Sequence, residues 1–122
     1  MANLKATPKT FAEALEVLNG KHSIRLGNNT YLESFTDGTQ TDLIAVRLHS
    51  TQVVKFWADG RVTLHTGGYH TMTTKERLNQ FIDRLVSGRC SNVIRPTKYE
   101  WFYQGQDTEP LSFEEGMNVA SL

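Results

Sequence analysis

Cysteine is nearly absent from this chain of 122 residues, with Cys90 the only one. A lone thiol excludes an internal disulfide and any zinc site built from several cysteines, and it fits a reducing compartment. An excess of one charge is missing too, since 13 Lys and Arg balance 13 Asp and Glu. Net charge therefore supplies no long-range attraction to nucleic acid or to an anionic membrane, and any basic site has to be local. No apolar run approaches the ~20 residues of a membrane span, and the N-terminus lacks the basic-then-apolar layout of a signal peptide. The expectation is a soluble, cytoplasmic protein with no membrane partner. Repeats, low-complexity tracts and linkers are also absent, so residues 1–122 read as one domain with loose ends at about 1–6 and 114–122.

What is present is concentrated between Asp42 and Leu85. Ile44, Val46 and Leu48 recur at every second position, the period of a strand with one buried face. Gln52 to Trp57 forms a second run, Ala58-Asp59-Gly60 a hairpin signal, and Arg61 to Thr66 a third alternating run. Three-residue loops at Ser50-Thr51-Gln52 and Ala58-Asp59-Gly60 would pair Leu48 with Val54, Val46 with Phe56, Phe56 with Val62 and Val54 with Leu64. One face then reads as a continuous apolar layer, whereas two-residue loops would bury Lys55 beside Leu64. The opposite face would carry three rows: Arg47 with Lys55 and Thr63, His49 with Val53 and His65, and Ala45 with Trp57 and Arg61. It would hold no acid.

Gly67-Gly68 ends the third run. Thr73 and Glu76 then form a capping box for a helix whose Leu78, Phe81, Ile82 and Leu85 would lie on the apolar face while Arg77, Gln80 and Arg84 stay wet, with Gly88 as its stop. Upstream, Thr10 with Glu13 opens a short helix marked by Phe11, Leu15 and Leu18 and closed by Asn19-Gly20. Ile24 and Leu26 suggest a strand, Gly27-Asn28-Asn29 a turn, Thr30 to Phe35 another strand, and Asp37-Gly38 a hairpin. Downstream come a short strand at Cys90 to Ile94, a strand with Tyr99, Trp101 and Tyr103 on one side, and a last strand near Leu111 and Phe113. The fold class is α+β: a curved antiparallel sheet, with a partly open barrel as its closed variant, one packing helix and a short N-terminal helix.

The strings GNNTYLE, VRLHST, DGRVTLHTGGYHTMTTKERLN, WFYQGQ and FEEGM resemble a family of small uncharacterised bacteriophage proteins, over roughly Gly27 to Met117. The resemblance implies a phage or prophage origin, hence the bacterial host cytoplasm, and it carries no activity, cofactor or site.

Four groups of residues are candidates for chemistry. Arg47, Lys55 and Arg61, with Trp57, His49 and His65, would put cations, an aromatic and two imidazoles on one sheet face, a layout able to track phosphates and stack a base. Its competing reading is an ordinary solvated face. His49, His65 and His70 could ligate a metal or serve as acid and base, but HExxH and CxxC spacings are missing, so neither a metal nor a cofactor is expected. Gly67 and Gly68 lead into a helix start where Thr74 and Lys75 could assist an anion, although the GxxxxGK[ST] order is absent. Tyr99, Trp101 and Tyr103 would form either a partner surface or core, and Cys90 reads as a small buried residue. The leading reading is a non-enzymatic phage binding protein that engages a host or phage macromolecule, with nucleic acid or a nucleotide-like anion as one ligand. The rivals are a protein inhibitor of a host enzyme or defence complex, and a small histidine-dependent hydrolase or nuclease. A homo-oligomer is compatible with each.

Overall fold

The computed structural model describes residues 4–37, 40–69, 71–82, 93–97, 100–104 and 111–119. Among the described residues two helices, α1 (Phe11–Leu18) and α2 (Met72–Gln80), accompany nine strands: β1 (Ser23–Gly27), β2 (Thr30–Asp37), β3 (Gln40–Leu48), β4 (Thr51–Trp57), β5 (Val62–Leu64), β6 (Val93–Thr97), β7 (Glu100–Gln104), β8 (Leu111–Ser112) and β9 (Met117–Asn118). The strands make an open six-stranded antiparallel sheet in the order β1-β2-β3-β4-β5-β9 and a three-stranded one in the order β6-β7-β8. The fold is α+β, as the alternation of strand and helix periods implies. None of the described helices is long and apolar enough to cross a membrane.

Alternation places the core. Leu32 of β2, Ile44, Val46 and Leu48 of β3, Val54 and Phe56 of β4, and Val62 and Leu64 of β5 are all buried, and they form one cluster with Ala14 and Leu18 of α1, with Leu78, Phe81 and Ile82 at and beyond the end of α2, and with Trp101 and Tyr103 of β7. Both helices thus supply apolar side chains to the core, and the aromatic strand closes it. Tyr103 is fully buried, and burial raises its phenol well above the usual tyrosine value. Tyr99 lies outside the described residues. Pro96 sits inside β6, where it is tolerated because β6 is an edge strand.

The β4–β5 hairpin has the expected register, Phe56 opposite Val62 and Val54 opposite Leu64. The β3–β4 hairpin does not. Its turn is the two residues His49-Ser50, with Leu48 opposite Thr51, and a bulge between Val46 and Arg47 restores parity, so that Val46 faces Val54 and Ile44 faces Phe56. His49 adopts a left-handed φ of 55°, a region in which histidine, like Asn and Asp, is enriched among non-glycine residues. The bulge leaves Val53 as the extra residue, and Val53 is buried. The core set survives, because the far pairs shift by two residues, but the rows of the outer face change.

The helices also differ in detail from the expected pattern. Thr10 caps α1 through Glu13 N–H, and Asn19 ends it in the left-handed region. Ala14 and Leu18 are the buried positions of this helix, whereas Leu15 is 42% exposed. α2 starts two residues early, because Thr71, not Thr73, accepts from Thr74 N–H. Arg77, expected in water, is buried: its Nε donates to Thr30 Oγ1 at 2.8 Å and its Nη1 to Gln80 Oε1 at 3.0 Å. A long aliphatic stem lets arginine lie buried when its guanidinium finds acceptors. The expected continuation through Arg84 and Leu85 to Gly88, and Cys90 itself, lie outside the described residues.

Hydrogen bonds tie the described parts of both ends to the sheet. Lys5 N–H bonds to Leu26 O at 2.8 Å, and Lys9 Nζ bridges Thr7 O and Gln80 O. At the other end β9 pairs with β5, and Val119 is buried beside Val62, whose carbonyl accepts from Val119 N–H. The acidic pair Glu114-Glu115 hides this short strand from a composition argument.

Leu18→Ala should cost about 2–5 kcal/mol by opening a cavity under the sheet, while Leu15→Ala should stay within about 0.5 kcal/mol. Urea denaturation of the two variants checks which face of α1 is packed.

Candidate functional site

The outer face of β2 to β5 is built from the side chains that alternation turns away from the core. Lys55 stands between Ala45 and Thr63, and Arg47 between Tyr31 and Gln52. Arg47 and Lys55 are therefore not direct neighbours in a row, as the expected register had them. Trp57 lies opposite Leu43 rather than Ala45. His49 leaves the face altogether, because it is a turn residue.

Nor is this face free of acid. Glu33 of β2 pairs with Arg47, Nε to Oε1 at 3.0 Å, and that hydrogen bond raises the guanidinium pKa further. Arg47 also lies over the Tyr31 ring, 4.6 Å from its centroid, and donates to His49 O. Arg61 pairs with Asp59 at 2.9 Å and covers Trp57, 4.5 Å from the ring centroid. Asp59 is held below the usual carboxylate range, first by Arg61 N–H and then by its guanidinium. Both arginines are thus fixed as planar cations on aromatic rings. Lys55 makes no ion pair among the described residues.

A chain of hydrogen bonds crosses the face beside Lys55. Trp57 Nε1–H donates to Thr63 Oγ1 at 3.0 Å, and Thr63 Oγ1 lies 3.1 Å from His65 Nε2. Burial lowers the His65 pKa, the charge of Lys55 lowers it further, and Glu115 acts in the opposite direction. Burial and Lys55 both favour the neutral imidazole, whose Nε2 shares a hydrogen bond with Thr63 Oγ1.

Glu115 is the residue that sequence reasoning missed. Its Oε1 accepts from Thr66 N–H at 2.8 Å and Gly67 N–H at 2.9 Å, and its Oε2 accepts from Thr66 Oγ1 at 2.7 Å. Burial is the largest single influence on this carboxyl and pushes its pKa up. The bonds from Thr66 and Gly67, helped by His65, outweigh it and hold the group below its usual value. The glycine loop expected to receive an anion thus receives one from the chain itself. Gly67 has φ 63°, and a Cβ there would come within 2.8 Å of Thr51 Cγ2. Gly68 gives its N–H to Thr66 Oγ1.

Two concavities flank the β3–β4 turn. A shallow cleft of about 420 Å³ on the outer face brings Arg47, Lys55 and His65 together with Gln52, Gly67 and Glu115. A deeper one of about 440 Å³ lies between the turn and the start of α2, and it takes in His49 and Thr74. Ser50 and Thr51 line both. The candidate residues are therefore divided: Trp57 and Arg61 line neither cavity, His49 and His65 line different ones, and Lys75 lines neither. His70 lies outside the described residues. Among the described residues no three His, Cys, Asp or Glu side chains are grouped to hold a metal ion.

Because the folded chain holds the Glu115 proton less tightly than the unfolded chain, this carboxylate stabilises the fold above the unfolded value of about 4.3. That contribution is lost as pH falls through the lower folded value. Glu115→Gln should lower stability near neutral pH and lose less of it over that acid window than the parent, as urea midpoints at a series of pH values would record. Gly67→Ala should cost about 1–2 kcal/mol for its left-handed backbone alone, with the approach to Thr51 adding to it.

No curated protein and no solved structure matches the chain. The family model described as Kyanoviridae Gp96 protein matches residues 7–120. That span covers both helices, the whole outer face and the Glu115 clamp, and the chain belongs to this family of phage proteins.

Proposed function

We propose that this phage protein is a non-enzymatic binding protein whose outer sheet face takes a phosphate-bearing ligand of nucleic-acid type. The observation that carries the reading is the convergence of Arg47, Lys55 and His65 on one open cleft, with Lys55 unpaired among the described residues. Lys55 makes the first phosphate contact, since no protein carboxylate has to be displaced. Arg47, held on Tyr31, follows by sharing its donors between Glu33 and the ligand. Arg61 lies farther along the face, where its guanidinium already rests on Trp57 and offers a flat outer surface to a base. His65, whose pKa burial and Lys55 lower, contributes a ring nitrogen to hydrogen bonding rather than charge.

Glu33, Asp59 and Glu115 oppose an anion, so the affinity is modest and depends on short-range contacts. This agrees with a chain whose 13 basic and 13 acidic residues give no net charge. Modest affinity with strong salt dependence is the signature of phosphate contacts.

Fluorescence anisotropy with labelled single-stranded DNA, duplex DNA and RNA at two salt concentrations tests this. Each phosphate contact contributes about −0.7 to the log–log salt slope on a single strand. The Arg47→Ala/Lys55→Ala/Arg61→Ala variant should lose about 1.4 units of slope, from the Arg47 and Lys55 phosphate contacts, and most of the binding while remaining folded. Absence of binding to all three probes, or binding indifferent to the triple substitution, would remove the reading.

A further inference from the structure

The cavity between the β3–β4 turn and the start of α2 plays no part in the anion reading. Its volume of about 440 Å³ falls within the roughly 300–1,000 Å³ of small-molecule sites. Leu48 and Val53 supply an apolar wall, His49 of the turn contributes an imidazole, and hydroxyls line the remainder. No Lys, Arg, Asp or Glu contributes to the lining, so an ion placed there would be desolvated without a countercharge.

The hydroxyls divide into two groups. Those of Thr66, Thr71 and Thr74 are engaged within the chain, Thr66 with Glu115 and Thr71 with Thr74. Those of Ser50, Thr51, Thr73 and Tyr69 make no hydrogen bond among the described residues. The first group holds the wall in place, and the second is available to a ligand. A hydroxyl can both donate and accept, so this set matches a partner that does the same at several adjacent positions. Tyr69, 61% exposed, stands on the loop that Gly67 and Gly68 turn with positive φ, at the mouth of the cavity. The negative face of a phenol ring attracts the polarised C–H groups of a flat, oxygen-rich ring.

We propose that this cavity is a binding site for an uncharged polyhydroxylated ring, that is, a sugar, with Tyr69 stacking on its C–H face and Ser50, Thr51 and Thr73 bonding its hydroxyls. A free saccharide and the ribose of a nucleoside share this chemistry. Because Ser50 and Thr51 also line the outer cleft, a ribose bound here would lie next to Lys55 and Arg47. The site stands independently of phosphate binding.

Saturation-transfer NMR on the full chain would use D-glucose, D-galactose, N-acetyl-D-glucosamine, uridine and adenosine as separate probes at millimolar concentration. The parent is compared with Tyr69→Ala, with Ser50→Ala/Thr73→Val and with Lys55→Ala, each checked for folding by circular dichroism. The expected result is transfer to the ring protons of at least one probe. It should be abolished or weakened roughly tenfold by each of the first two variants, which remove an aromatic face or two hydrogen bonds, and retained in Lys55→Ala. Transfer to saccharides alone or to nucleosides alone supports the site and assigns its source. No transfer from any probe, or transfer unchanged in Tyr69→Ala and in Ser50→Ala/Thr73→Val, overturns it. Loss only in Lys55→Ala also overturns it, by moving the contact to the outer cleft.

Discussion

Burial of a single apolar sheet face is the constraint on which the rest of this molecule depends. Side chains on a strand alternate with period two, so committing Leu32, Ile44, Val46, Val54, Phe56, Val62 and Leu64 to one side commits Glu33, Lys55, Trp57 and Thr63 to the other. The β3–β4 bulge shows how strongly this requirement acts. A two-residue turn would by itself put the pairs out of phase, and the strand admits an extra residue, Val53, rather than turn Lys55 inward.

The second organising contact is the carboxylate of Glu115 on Thr66 and Gly67. It brings a C-terminal segment to the end of β5, where β9 pairs with Thr63 and Leu64 and covers an otherwise open edge. It occupies the backbone N–H groups of Thr66 and Gly67 and shapes the rim of the outer cleft. By tying the Thr66 hydroxyl it also helps order the wall of the second cavity. One side chain thus lines the outer cleft and holds a wall residue of the second cavity.

The balance of charge on the outer face follows the same logic. An unpaired arginine on a surface of zero net charge would be free to move, whereas here Arg47 and Arg61 are each set between a carboxylate and an aromatic ring. Such cations lose little rotamer freedom on binding, but they must compete with Glu33 and Asp59 for their ligand. Lys55 differs in being free of a countercharge among the described residues.

Local periodicity and capping chemistry in the sequence determined the class of the fold, the membership of the sheet's core face, the Thr10 cap of α1 and the Asp59-Gly60 hairpin, because each depends on residues within a few positions of one another. The GNNTYLE and VRLHST strings likewise sufficed to suggest the phage family. The tertiary structure alone decided what depends on residues far apart. Glu33 meets Arg47 across 14 positions, Arg77 meets Thr30 across 47, and Glu115 meets Thr66 across 49. The β3–β4 register was of this second kind, because the choice between turns was made by packing on the far side of the sheet. Alternation can say which residues share a face, but only the closed chain brings a distant carboxylate to a backbone N–H, since the free energy that holds it there comes from the core that both segments help to build.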